Sequence, residues 1–130
     1  MLSFLQQPSI PPLPEGTRLE TSTPPTSQQL NTLLMSCGES THPEERWELA
    51  LQRSLWQISI LEESTGELVG FVRATSDLAL NANLWNLAAK PGPNQGALFA
   101  VLVHRALQIL RRDLPQAALK GELPSFLGVG

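Results

Sequence analysis

From Val69 to Leu114 the chain reads as strand, turn, strand, short loop and long helix, and this order constrains the fold more than any other feature. The first strand is Leu68 to Arg73, followed by a turn over Ala74, Thr75, Ser76 and Asp77. A second apolar run spans Leu84 to Ala89, and Lys90-Pro91-Gly92-Pro93-Asn94-Gln95-Gly96 then leads into a helix predicted from about Gln95 to Arg112. A strand that ends in a Pro/Gly loop and opens into a helix leaves backbone N–H groups unpaired at the positive end of the helix dipole, a ready anion site. Asn94 reads either as the helix N-cap alone or as a cap that also borders this site. Along the helix, Leu98, Leu102, Ala106 and Ile109 form one apolar stripe, and Phe99, Val103, Leu107 and Leu110 the next. His104, Arg105, Gln108, Arg111 and Arg112 are left for solvent, and Pro115 stops the helix.

Upstream, Met1 to Pro14 is proline-rich and reads as an extended arm, or as one packing through Phe4, Leu5 and Ile10. Gly16 to Thr21 alternates weakly, as an edge strand does. Ser27 is the expected N-cap of a helix carrying Leu30, Leu33 and Leu34 and stopping at Gly38. Past His42-Pro43, a second helix is predicted from about Glu44 to Ser54, with both glutamates in its first turn. Trp56 to Leu61 alternates as a half-buried strand. Glu63 to Glu67 makes a hairpin turn with Gly66 at positive φ. The sum is a mixed α/β (α+β) domain over residues 15–115, between the arm and a tail of residues 116–130 that has room for one short strand.

Composition narrows the function classes. Of the 130 residues 42% are hydrophobic and 16% charged, a globular balance. The net charge of −3 and the lack of any basic run longer than Arg111-Arg112 argue against nucleic-acid binding. Cys37 is the only cysteine, which excludes an internal disulfide and a cysteine-only metal cluster, and nothing beside it is arranged to activate the thiol. No apolar run reaches the ~20 residues of a membrane span, and no secretory signal is legible, so the expected location is cytoplasmic.

Val72-Arg73-Ala74-Thr75-Ser76-Asp77, with Asn81-Ala82 and Leu84-Trp85-Asn86, resembles the third and fourth strands of plastid-type and cyanobacterial GNAT (GCN5-related) N-acetyltransferases. Those proteins read close to V-R-A-T-S-D-x-x-x-N-A-x-x-W-D. The resemblance covers roughly Leu13 to Pro115. It implies a GNAT-like, mostly antiparallel sheet flanked by helices and direct attack of an amine on the acetyl-CoA thioester. It also implies a motif Q/R-x-x-G-x-G/A whose backbone N–H groups hold the CoA pyrophosphate. Carried over without a gap, the motif falls on Asn94 to Phe99, with Ala97 and Phe99 at the glycine positions. Shifted by one, it starts at Gln95, with Leu98 and Ala100 at those positions. Either way a bulky residue stands where the family has a small one. The cofactor-binding expectation is therefore Leu87, Ala88 and Ala89 through their main chain, and Asn94, Gln95, Gly96, Ala97, Leu98, Phe99 and Ala100 around the phosphates.

The chain has no tyrosine, so the family's usual general acid is missing, and the sheet is expected to be incomplete at its C-terminal end. Glu62 and Glu63 stand at a strand end, where relatives of the family sometimes place a general base. They otherwise read as exposed turn carboxylates, and no catalytic residue is assigned. No metal is expected. His104 is expected to be solvated, Asp77 and Asn81 to make turn hydrogen bonds, and Trp47, Trp56 and Trp85 to be core aromatics. The partners implied are acetyl-CoA and an amine acceptor. The alternative is a catalytically inactive GNAT-like module that pairs with a second copy or another protein through an exposed sheet edge.

Overall fold

The computed structural model describes residues 10–113 and 127–129. The elements in chain order are β1 (Thr17–Glu20), α1 (Ser27–Ser36), α2 (Glu44–Gln52), β2 (Trp56–Glu62), β3 (Leu68–Ser76), β4 (Ala82–Ala89), α3 (Gln95–Asp113) and β5 (Leu127–Val129). The strands form one sheet in the order β1-β2-β3-β4-β5. The first four are antiparallel to their neighbours, and β5 runs parallel to the first half of β4. Residues 74–76, expected as a turn, instead extend β3. Thr75 and Ser76 pair with Asn83 and Ala82, which moves the turn on to residues 77–81.

Capping fixes the first helix one residue earlier than expected. Thr26, not Ser27, is the N-cap: its side chain accepts from Gln29 N, and the Gln29 side chain accepts from Thr26 N at 2.9 Å, a full capping box. At the other end Gly38 takes φ 76°, its N–H bonds Met35 O, and Glu39 N reaches Leu34 O, a Schellman closure that glycine adopts without strain. α2 ends at Gln52, two residues short of the expected Ser54, whose hydroxyl turns back to Ala50 O. Gly66 holds φ 76° in the β2–β3 turn, as its position between the two strands requires.

Two apolar layers sandwich the sheet. On one face α3 packs Leu98, Val101, Leu102, Ala106 and Leu110 on Ile58, Ile60, Val72, Ala74, Leu84 and Ala89. On the other, Leu30, Leu33 and Leu34 of α1 and Trp47 of α2 cover Leu61, Leu68, Phe71 and Ala88. The α3 stripe is rotated from the expected one: Val101 is buried and Val103 is 36% exposed. Ile10 is also exposed, and it is Leu13 that packs on the core; Phe4 and Leu5 of the arm lie outside the described residues, as do residues 116–126 of the tail.

Two one-residue irregularities shape the sheet. Between Ile60 and Leu61 the register with β3 slips, so Val69 and Gly70 both turn toward α3. On β4 a second slip opposite Phe71 to Arg73 absorbs an extra residue. Ala82 and Leu84 face α3, and so do Leu87 and Ala89, a change of parity that only a bulge at residues 85–86 can give. Asn86 takes up the extra residue at φ 56°, a left-handed conformation that asparagine tolerates better than most residues.

Candidate active site

Beyond the bulge, β4 has no strand partner on its outer edge among the described residues, because β5 pairs only with Ala82, Asn83 and Leu84. Lys90 N bonds Val69 O, so by alternation the main-chain groups of Ala89 turn to the outer edge, and with them those of Leu87. The Ala89 carbonyl is already engaged there, accepting from Gln95 Nε2 at 3.0 Å and from Cys37 Sγ at 3.2 Å. Ala88 faces α1 in the second core layer. Of the three β4 residues expected to meet a pantetheine arm, Leu87 turns both main-chain groups to this open edge, whereas Ala89 has only its N–H left there.

The loop 90–94 carries the chain from β4 into α3. Lys90 is anchored through its ion pair with Glu67 at 3.0 Å, and Asn94 O accepts from Leu98 N, which makes Asn94 the N-cap residue. The N–H groups of Gly96 and Ala97 have no carbonyl partner among the described residues. A Cβ built on Gly96 would meet nothing within 4 Å, so open space lies in front of this turn. Gly96, Ala97 and Ala100 are exposed, whereas Leu98 is 3% exposed in the core and Phe99 packs against its rim. The bulky residues therefore point away from the turn's open face, and the small ones line it. Neither sequence carry-over of the motif anticipates this, because which residue faces the sheet is set by packing, not by spacing. A small cleft of about 190 Å³ runs beside the loop, bordered by Glu62, Lys90, Asn94 and Leu98.

On the opposite face of β4, a groove of about 620 Å³ opens between α2 and the sheet. His42, Glu45, Arg46, Trp47, Arg53, Arg73 and Asn86 are among its walls. Arg73, half-buried on β3, donates from Nε to Asn86 Oδ1 at 2.7 Å and from Nη1 to Ser54 Oγ at 3.3 Å, and its guanidinium stands 5.9 Å from the centre of the Trp85 ring. Burial pushes its pKa below the ordinary arginine value. Trp85 is 37% exposed and bonds Thr75 Oγ1 through its indole, a correction to its expected place in the core: its ring stands beside the Arg73 guanidinium. Trp47 is buried as expected, and Trp56 is half-buried. The sequence reading missed this groove. An arginine in the middle of an otherwise apolar strand, with an asparagine in the next, was its one legible signal.

The remaining candidates are dispersed. Glu62 is half-buried at the β2 end and Glu63 is exposed in the turn. His104 is half-buried rather than solvated, and its Nε2 is buried without a partner among the described residues, because α3 is rotated toward that side. Asp77 accepts from the N–H groups of Ala79, Leu80 and Asn81, the expected turn bonding, and this holds its carboxyl below the usual value. No group of three or more histidine, cysteine or acidic side chains is placed to hold a metal among the described residues, and no helix there is long and apolar enough to cross a membrane.

With this sheet, its bulged fourth strand and the helix that follows it, the chain has the fold of GNAT-type N-acetyltransferases. A protein of unknown function from meticillin-resistant Staphylococcus aureus, a probable acetyltransferase, superposes with a TM-score of 0.73 at 13% identity, over 88% of this chain and 78% of its own. A GNAT family protein from Streptococcus pneumoniae TIGR4 gives 0.63 at 16% identity, over 88% and 74%. The ribosomal-protein-S18-alanine N-acetyltransferase from Escherichia coli gives 0.58 at 13%, over 74% and 60%. In sequence the chain is similar to an uncharacterized N-acetyltransferase, ycf52, of Pyropia yezoensis, 34% identical over 86 residues, which are 65% of this chain and 49% of that protein. It is also similar, 34% identical over a shorter stretch of 65 residues, to a ycf52-like N-acetyltransferase of Prochlorococcus marinus, across 48% of this chain and 36% of that one. The plastid-type and cyanobacterial resemblance is thus borne out. The chain spans about half the length, or less, of these curated relatives. No family model matches it.

Proposed function

We propose that the protein is an acetyl-CoA-dependent N-acetyltransferase acting on an amine, in the cytoplasm. The observation that carries the reading is the exposed first turn of α3, where Gly96 and Ala97 hold unpaired N–H groups against open space at the end of the bulged strand. These residues fit a CoA pyrophosphate: two N–H donors, the positive end of a 19-residue helix and small side chains permit close approach of a diphosphate. Acetyl-CoA, when bound, supplies the activated acetyl group; the amine forms a C–N bond as the C–S bond breaks, losing one proton while the CoA thiolate gains one. Leu87, just past the bulge, turns its main chain to the open edge of β4, where its N–H can align the pantetheine arm or the thioester oxygen. The groove at Arg73 and Asn86 opens on the other side of the same bulge and would receive the acceptor. The half-buried Cys37 thiol accords with a reducing compartment.

Calorimetric titration of the purified chain with acetyl-CoA, followed by acetylation assays on a panel of amines, tests the reading. Saturable micromolar binding with turnover supports it. Binding without turnover on any amine would favour the inactive, partner-binding module, and absence of binding would sink the cofactor site.

A further inference from the structure

We propose that the acceptor amine carries a carboxylate, held by Arg73 with Arg46 and Arg53; this rests on the groove being the acceptor site of the proposed transferase. The chain carries a net charge of −3, yet three of its nine basic side chains line this one groove, against the single carboxylate of Glu45. No ion pair is made by any of the three arginines among the described residues.

Arg73 carries the most weight. Its guanidinium is half-withdrawn from water and has only neutral partners, the Asn86 amide and the Ser54 hydroxyl. A cation moved out of water without a counter-charge is costly, and its pKa is already displaced by that burial. Asn86 and Ser54 hold the Nε side and one Nη1 hydrogen, while Nη2 makes no hydrogen bond within the described residues. What remains is Nη2 and the second Nη1 hydrogen, donors that a carboxylate can take. The centre of the Trp85 ring lies 5.9 Å from the guanidinium, and Asn86 holds it by a hydrogen bond from the bulge itself. Arg46, exposed on α2, and Arg53, exposed at its C-cap, add an attractive field at the mouth rather than fixed bonds. The other walls, Trp47, Leu49 and Ala50, suit the methylene stem of an amino acid or of a peptide side chain.

The test compares matched acceptors on the full chain. γ-Aminobutyrate is set against γ-aminobutyramide, and a peptide with aspartate at its second position against its asparagine counterpart; the first pair reports a small-molecule acceptor, the second a protein one. The expected result is a preference of about tenfold or more in kcat/KM for the carboxylate member of at least one pair. That preference should fall to near unity in Arg73→Gln, and also in Asn86→Asp, which gives Arg73 a carboxylate of its own. Should Arg73→Gln fail to fold, the doubly substituted Arg46→Gln, Arg53→Gln surface variant should still reduce the preference and make it less sensitive to salt. Equal rates within both pairs overturn the proposal. If no amine is acetylated, the transferase reading fails, and binding decides the groove separately. Saturable shifts of the Arg73 Nε–H and Trp85 indole resonances with γ-aminobutyrate, but not with the amide, support an anion site. No shift with any probe overturns it.

Discussion

Arg73 and Asn86 meet across the β3–β4 pair at 2.7 Å, and that bond closes over the bulge that reverses which face β4 shows to α3. Asn86 sits at φ 56° to make the bulge, and its side chain holds the one arginine of β3. Two effects separate in mutants. Asn86→Ala loses the bond and keeps the left-handed strain, and should cost about 1–3 kcal/mol. Asn86→Gly loses the bond but removes the strain, and should recover about 1 kcal/mol of that loss. Urea denaturation of both variants measures the difference. Equal stabilities would mean that the left-handed backbone carries no cost.

The N-terminus of α3 predicts a dissociation between stability and ligand binding. Gly96→Asp places a negative charge in the first turn, where the dipole favours it by about 0.3–1 kcal/mol. The same charge repels a diphosphate. The variant should melt at or above the parent temperature and bind CoA at least about tenfold more weakly. Unchanged CoA affinity would place the phosphates elsewhere.

Leu98 is the converse case. Spacing alone marks it as an obstruction in the phosphate turn, but it is buried under the sheet. Leu98→Ala should therefore cost about 2–5 kcal/mol of stability and should not improve CoA binding. Calorimetry beside a denaturation curve decides it; a tighter binder of parental stability would contradict the packing seen here.

Asn31 should be a strong stability determinant although it lies on a helix surface. Its Oδ1 accepts from Trp47 Nε1 at 2.8 Å and from His42 N at 3.0 Å, and its Nδ2 donates to His42 O. One amide thus ties α1 to the α1–α2 connection and to the buried Trp47, against which His42 packs edge-on. Asn31→Ala leaves the indole N–H without its partner and should cost about 1–3 kcal/mol. Asn31→Asp, which keeps the acceptor, should cost less. Thermal melts of the two variants compare them.

The 77–81 turn should loosen in acid. Asp77 is held below its ordinary value of 3.8 chiefly by the N–H groups of Leu80, Ala79 and Asn81. A carboxylate whose folded pKa is depressed contributes order that is present above the unfolded value and is lost as pH falls through the folded one. Amide chemical shifts of Ala79 and Leu80 should titrate with a midpoint below pH 3.8, and Asp77→Asn should remove the transition. A midpoint above 3.8 would mean that the turn bonds do not favour the charged form.

Much of the architecture was legible because its signals are local. The alternation in Trp56 to Leu61, the Gly66 turn, the first-turn glutamates of α2 and the long apolar run that opens at Gln95 each reflect forces acting within a few residues, and each element formed with ends shifted by only a residue or two, while Pro115 lies outside the described residues. Residues 74–76 were the main exception. They read as a turn in isolation, yet they lie in β3 because Ala82 to Leu84 are there to pair with them.

The sequence by itself determined the element order, the hairpin β2–β3 and the strand–loop–helix unit that ends at an open helix N-terminus. Periodicity and turn chemistry suffice for these. The tertiary structure decided which residues face the site. Two bulges invert side-chain parity within single strands, and parity cannot be read until the register of the neighbouring strand is known. The rotation of α3 put Leu98 and Val101 on the sheet and left Gly96, Ala97 and Ala100 open, because a helix settles by the fit of its whole face rather than by any one residue. For the same reason Arg73 of β3, Asn86 of β4 and Ser54 of the α2–β2 connection are joined by hydrogen bonds that no stretch of sequence contains.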